Sequence, residues 1–451
     1  MMRWFLILLT TVTALQAETA PLSPDLKKIV ELAQAAPPEF AAQALLRVAD
    51  SQRAGARETQ IALIEQAFRL ASAARSPVKL RGMAGALVDT RTGSMDRAYG
   101  LELDALSLQS AAVSAMVGRN PAKAREMLSQ IALPEFPALS CDDSLVPDPT
   151  VFYRALAQVA NSSFSPEEQR KGEHISLVMS YLAKASSPMQ LPGLAIAVKE
   201  VSAAGAEREI LITKFNGTLE NLTGDERSFW ASAPTLRRLI APEMEASFAK
   251  YAAKHPQQKA CDGGIPVAEL LGGSETPKVS GGPNVIRYWE SDAAQRVLEG
   301  AKVLRQRDNG AMRSEAERAT PEWQTLLADF RKQLDGWGAG SEKSEADYYH
   351  QKSIVFQALV ELVPAGAQRD KTLQEFIDFV SNSNLQQTSP AEWFAEVKTM
   401  LERVRTTNGG EPAKVLEAFE RSGNPVLGLY SAEERTFGSK APAWATAPAN
   451  Q

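Results

Sequence analysis

The stretch TPEWQTLLADFRKQLDGW, Thr320 to Trp337, decides how this chain is read. Its apolar residues Trp323, Leu326, Leu327, Phe330, Leu334 and Trp337 recur at three- and four-residue steps, the period of one helix face. Thr320-Pro321 opens it: the hydroxyl can accept from a free N–H of the first turn, and proline there forfeits no helical bond. The same opening recurs at Ser23-Pro24, Ser76-Pro77, Asp148-Pro149, Ser165-Pro166 and Ser389-Pro390. Glu168 and Glu392 follow two of these caps at capping-box spacing. Helical stripes also run through Leu101, Ala105, Leu108, Ala112 and Met116, through Ile354, Ala358, Leu359 and Leu362, and through Trp393, Val397, Met400, Leu401 and Val404. Two-residue alternation is scarce. Glu209 to Thr213 reads briefly as a strand, but Phe215, Leu219 and Leu222 continue it as a helix.

The expected fold is therefore all-α. Helices are predicted near 24–36, 38–51, 56–74, 96–118, 121–132, 149–160, 166–186, 190–203, 207–223 and 234–254, then 290–309, 321–336, 344–363, 367–381, 390–405 and 411–421. Short connectors make neighbours pack as antiparallel pairs, either as an irregular α-solenoid or as two helical bundles. The expected organisation is a signal peptide at 1–17, an N-terminal helical domain at 18–260, a Gly/Pro-rich connector at 261–284, a C-terminal helical domain at 285–438 and a flexible tail at 439–451. Leu101 to Ile131, with its break at Gly118 and restart at Asn120-Pro121, resembles a tetratricopeptide unit in its small-residue spacing. It lacks that repeat's initial aromatic and has its glycine displaced.

Composition sets the bounds. With 44% hydrophobic and 23% charged residues, the 451-residue chain has enough apolar matter for a core and too much polar matter for a polytopic membrane protein. The formal charge of -5 offers no attraction for nucleic acid or an anionic bilayer. Arg3, the apolar run Trp4–Leu9 and the small Ala17 form the charged tip, core and cleavage site of a signal peptide. Export to a periplasmic or extracellular space is expected, with no stable membrane span after cleavage. In that oxidising setting Cys141 and Cys261 are expected to form a structural disulfide between two long loops.

Chemistry is sparse. His174 lacks the second histidine of a zinc-protease helix, and His255 before Pro256 suits a helix C-terminus. His350, with Asp347 one turn away and Tyr348 and Tyr349 beside it, is the candidate reactive cluster. Asp142, Asp143 and Asp148 lack the twelve-residue calcium-loop pattern and read as caps or turns. No cofactor-binding motif and no metal-ligand spacing emerge, and no residue earns a catalytic role.

The segments Ala36-Pro37-Pro38-Glu39-Phe40-Ala41 and Leu101-Glu102-Leu103-Asp104-Ala105-Leu106-Ser107-Leu108-Gln109 resemble a group of exported bacterial proteins without an assigned activity. The likeness extends through Cys141 and Lys171-Gly172-Glu173-His174, and it carries over no catalytic residue. The expected role is a non-catalytic helical interaction or scaffold module with an envelope or extracellular protein partner. A glycan ligand and a hydrolase acting on envelope glycan or peptide form the alternative. An acid-lined groove with exposed tryptophans would favour the hydrolase, and an apolar or mixed groove the binding module.

Overall fold

A computed structural model describes residues 22–82, 91–140, 143, 145–222, 226–254, 292–341, 345–383, 389–406 and 411–438. The expected signal peptide, connector and tail lie outside these residues, as does His255. The described chain is an all-α array of helix pairs. Helices α1 (Pro24–Ala33), α2 (Pro38–Asp50) and α3 (Arg57–Ala71) pack consecutively. Three predicted helices are each divided, for local reasons. The stretch over 96–118 forms α4 (Arg91–Tyr99) and α5 (Ala105–Val117). Between them Glu102 takes a left-handed φ of 59°, and Asp104 caps α5 by accepting from the Ser107 N–H at 2.9 Å. After α6 (Pro121–Gln130) and α7 (Thr150–Ser162), the stretch over 166–186 divides into α8 (Pro166–Arg170) and α9 (Glu173–Ala183). Gly172 separates them at φ 72°, a conformation glycine adopts without strain. Ser165 and Glu168 do form the capping box at the start of α8.

Then come α10 (Leu191–Glu200), α11 (Ala206–Asn221), α12 (Glu226–Leu239) and α13 (Glu245–Lys254), the last two divided by a 3-10 turn at Pro242–Met244. Gly193 brings α10 against α7 so closely that a Cβ there would lie 2.3 Å from the Tyr153 ring. The second half holds α14 (Asp292–Arg305), α15 (Glu315–Arg318), α16 (Pro321–Gly336), α17 (Glu345–Leu362), α18 (Ala367–Ser381), α19 (Pro390–Thr406), α20 (Pro412–Arg421) and α21 (Pro425–Phe437). The α16 stripe is core: Trp323 is 1% exposed and donates from Nε1 to the Leu304 carbonyl at 3.0 Å.

Besides the four-residue α15, two elements lie outside the sequence-based expectation. One is a small antiparallel sheet, β1 (Leu80–Gly82) with β2 (Leu145–Pro147), pairing Leu80 with Pro147. The other is α21, whose cap Asn424 accepts from the Val426 and Leu427 N–H groups at 3.0 and 3.3 Å. Replacing Asn424 by alanine should cost about 1 kcal/mol in urea unfolding, the usual value of such a cap.

One hydrophobic cluster runs from Leu26 in α1 to Ala432 in α21. Helices α1 and α2 pack against α21, and α4 packs against α19, so the first and last described helices meet. The expected disulfide needs correction. A bond between Cys141 and Cys261 is not borne out. Both cysteines fall outside the described residues. Among the described residues no helix is long and apolar enough to cross a membrane.

Candidate functional site

The polar chemistry of the chain concentrates along α4, in the seam between the first helices and α17 and α19. Ser94, on α4, is 8% exposed, and its Oγ lies 3.1 Å from Nδ1 of His350 on α17. The same Nδ1 meets Oε1 of Glu396, a residue of α19 that is 5% exposed. Further along α4, Asp96 accepts from the Gly82 N–H of β1, and the Tyr99 hydroxyl donates to Glu392 Oε1 at 3.0 Å. Three helices are thereby tied across a buried boundary.

Serine, histidine and carboxylate in one cluster invite comparison with an acyl-transfer relay. In that relay the nucleophile and the acid occupy opposite nitrogens of the ring, so that a proton passes through the imidazole. Here Ser94 and Glu396 converge on the same Nδ1, and all three side chains are buried. The arrangement orients and holds the imidazole. It does not pass a proton from the hydroxyl through the ring to the carboxylate.

The neighbours of His350 fit this packing role. Tyr349 is 3% exposed and stacks on Phe379 at 5.1 Å. Burial, with the nearby Glu396 charge, pushes its phenol well above the ordinary value. Lys352 is buried as well. Its Nζ donates to the Trp337 carbonyl and the Tyr348 hydroxyl, both at 3.0 Å, and lies over the Tyr348 and Phe379 rings. Desolvation lowers its pKa, offset in part by Asp335. Asp347 falls on α17, but its side chain lies outside what the structure describes. The sequence thus located His350, while its partners Ser94 and Glu396 went unseen.

Other predicted positions are dispersed. His174 is buried at the start of α9, with Nε2 4.0 Å from Glu207 Oε2. Asp143 accepts from the Ser140 N–H at 2.6 Å, a turn bond of the kind expected, and Asp142 lies outside the described residues. Asp148 accepts from the Thr150 N–H at 3.1 Å and lies 3.9 Å from Arg81. Beside it, Lys79 pairs with Glu102 at 2.7 Å. These half-buried pairs fasten the small sheet to the start of α5.

A second buried ionic cluster joins α2, α19 and α21. Glu433 is 4% exposed, with Oε2 3.5 Å from Nη1 of Arg47. The Arg47 guanidinium also donates to the Gly438 carbonyl at 3.3 Å and lies 5.0 Å from the Phe437 ring centroid. Glu434 pairs with Arg405, which also holds Glu402. Burial raises the Glu433 carboxyl to about 7, with Arg47 and Lys398 opposing the shift and Glu434 adding to it.

A third feature is open to solvent. Helices α9 and α11 run parallel: Thr218 Oγ1 donates to the Leu182 carbonyl at 3.0 Å near one end, and His174 faces Glu207 near the other. Their outer seam is a groove of about 640 Å³. Met179, Leu182, Ala183, Ile210 and Gly217 line it, with Glu209 and Lys214 at its edges. Ile210 is 50% exposed, in contrast to Leu211, Phe215 and Leu219 on the inner face of the same helix.

Comparison with protein-family models, curated proteins and solved structures yields no match. The resemblances noted in the sequence therefore gain no family assignment. What can be said of function rests on these three features.

Proposed function

We propose that this chain is an exported, non-catalytic interaction module that takes up an amphipathic helix in the α9/α11 groove. The observation that carries this reading is Ile210, half exposed in a groove walled by Met179, Leu182, Ala183 and Gly217. Small residues let a helix backbone approach, and the isolated aliphatic side chain supplies an anchor. At 1.5 Å per residue, the 16 residues of α11 offer roughly 24 Å of docking length, enough for three to four helical turns.

The groove has one carboxylate on its wall, Glu209, and no tryptophan. Trp323 and Trp393 are both core, at 1% and 0% exposed. This lining favours a binding surface over a cleft for glycan hydrolysis, which works through two carboxylates flanking the scissile bond. Export and an envelope partner belong to the same proposal and follow from the amino-terminal sequence pattern.

The test is titration of the mature chain with a synthetic, uncharged helix carrying leucine at i, i+3, i+4 and i+7. Saturable binding is expected. Ile210→Asp should weaken it at least about tenfold, the effect of losing one anchor residue. Because Ile210 lies outside the core, the melting temperature should stay unchanged. An absence of saturable binding to the wild-type chain would sink the proposal.

A further inference from the structure

The outer face of α11 has a pattern of its own. Ala206, Ile210, Thr213 and Gly217 recur at steps of four, three and four, the spacing of the seam in a two-stranded coil. Ile210 occupies the position where a β-branched residue favours two strands, and Gly217 has open space around the place of a Cβ. Glu209 lies on one shoulder of this stripe and Lys214 on the other, both exposed. Among the described residues neither has an ion-pair partner.

We infer that the helix taken up by the groove is α11 of a second copy of this chain, aligned parallel to the first about a two-fold axis. The inference rests on the docking reading above and names its partner. In a parallel pair, the shoulder residue before one seam position meets the opposite shoulder residue five places further along in the other helix. Glu209 of each copy then faces Lys214 of the other, and the symmetry makes the contact twice. An antiparallel pair would set like shoulder against like shoulder, so that Glu209 would not meet Lys214. The order of the charges therefore selects the parallel arrangement. Ile210 packs on its own counterpart at the middle of the seam, and Met179 and Ala183 of α9 extend the contact along the groove wall. Two heptads make a short seam, so the dimer is weak and forms as concentration rises.

Sedimentation equilibrium of the full mature chain at low salt, from micromolar to hundreds of micromolar, tests this. The wild-type chain should convert from monomer to dimer across that range, and added salt should shift it toward monomer. Glu209→Lys and Lys214→Glu should each weaken association about tenfold, by replacing two attractions with two repulsions. The double exchange Glu209→Lys/Lys214→Glu should restore it to within about threefold, because the opposite charges face each other again. Both positions tested are at the surface, so circular dichroism of the variants should match the wild type. A chain that stays monomeric throughout, or a double exchange no better than the single ones, overturns the inference. If that monomer still binds the leucine helix, the docking reading stands without the dimer. If it binds neither, both fall together.

Discussion

Glu396→Ala should lower the unfolding free energy by about 3 kcal/mol at neutral pH, measured by urea titration. The carboxyl group is buried against His350, with Ser94 on the same ring nitrogen, so removing it strips a desolvated imidazole of its acidic partner. Breaking a buried pair costs roughly 3–5 kcal/mol, because the remaining group is left uncompensated. Ser94 stays within hydrogen-bond reach of the same ring nitrogen, which places the loss at the lower end of that range. The companion variant carries both His350→Leu and Glu396→Leu. Replacing a whole buried pair with apolar groups is near neutral, so this double variant should recover most of the stability. If the double variant were as unstable as the single one, the polar knot would have no special role, and packing alone would hold α4, α17 and α19 together.

The second large effect lies at the other end of the seam. Glu433 is held at about 7, against an ordinary value of 4.5. The native state thus keeps a proton that the unfolded chain releases, and stability must fall as pH rises from about 4.5 through about 7. The full window corresponds to about 3 kcal/mol at 1.36 kcal/mol per unit. Glu433→Gln imitates the protonated form, and its amide oxygen can still accept from Arg47. The variant should therefore match the wild type near pH 4.5 and exceed it increasingly toward pH 8. Paired melts across that range isolate the contribution, since other titrating groups are common to both chains. A constant difference between the two curves would contradict this account.

The fold was legible because several helix starts combine a local cap with a long apolar stripe. Thr320-Pro321 and Ser389-Pro390 placed α16 and α19 almost to the residue. Asn424-Pro425 carries the same signal, so α21 was within reach of the same rule. The divided helices are a different matter. Glu102 adopts a left-handed conformation uncommon for a side chain of its kind, and nothing in the local pattern announces it. The two short strands lie more than sixty residues apart and have no hairpin turn between them, so their pairing has no local signature.

The candidate sites follow the same division. His350 stood out as one of three histidines, but Ser94 is 256 residues away and Glu396 is 46. The packing of α19 against both α4 and α17 brings them together. Burial of Glu433 was hidden because its partner Arg47 lies 386 residues away in sequence. The exposed face of α11 drew no notice, because Phe215, Leu219 and Leu222 already accounted for the helical pattern and left Ile210 unremarked.

The meeting of α1 and α2 with α21 also bears on how such a chain is born. Arg47 must wait for Glu433, a partner made 386 residues later. The entropy of closing so long a loop grows only logarithmically with its length, so the finished structure tolerates it. Timing is less forgiving. Until α21 emerges from the ribosome, α1 and α2 lack part of their cover and stay exposed to proteases and to one another. Helix α21 thus completes the cover of α1 and α2, which stays open until that helix has been made.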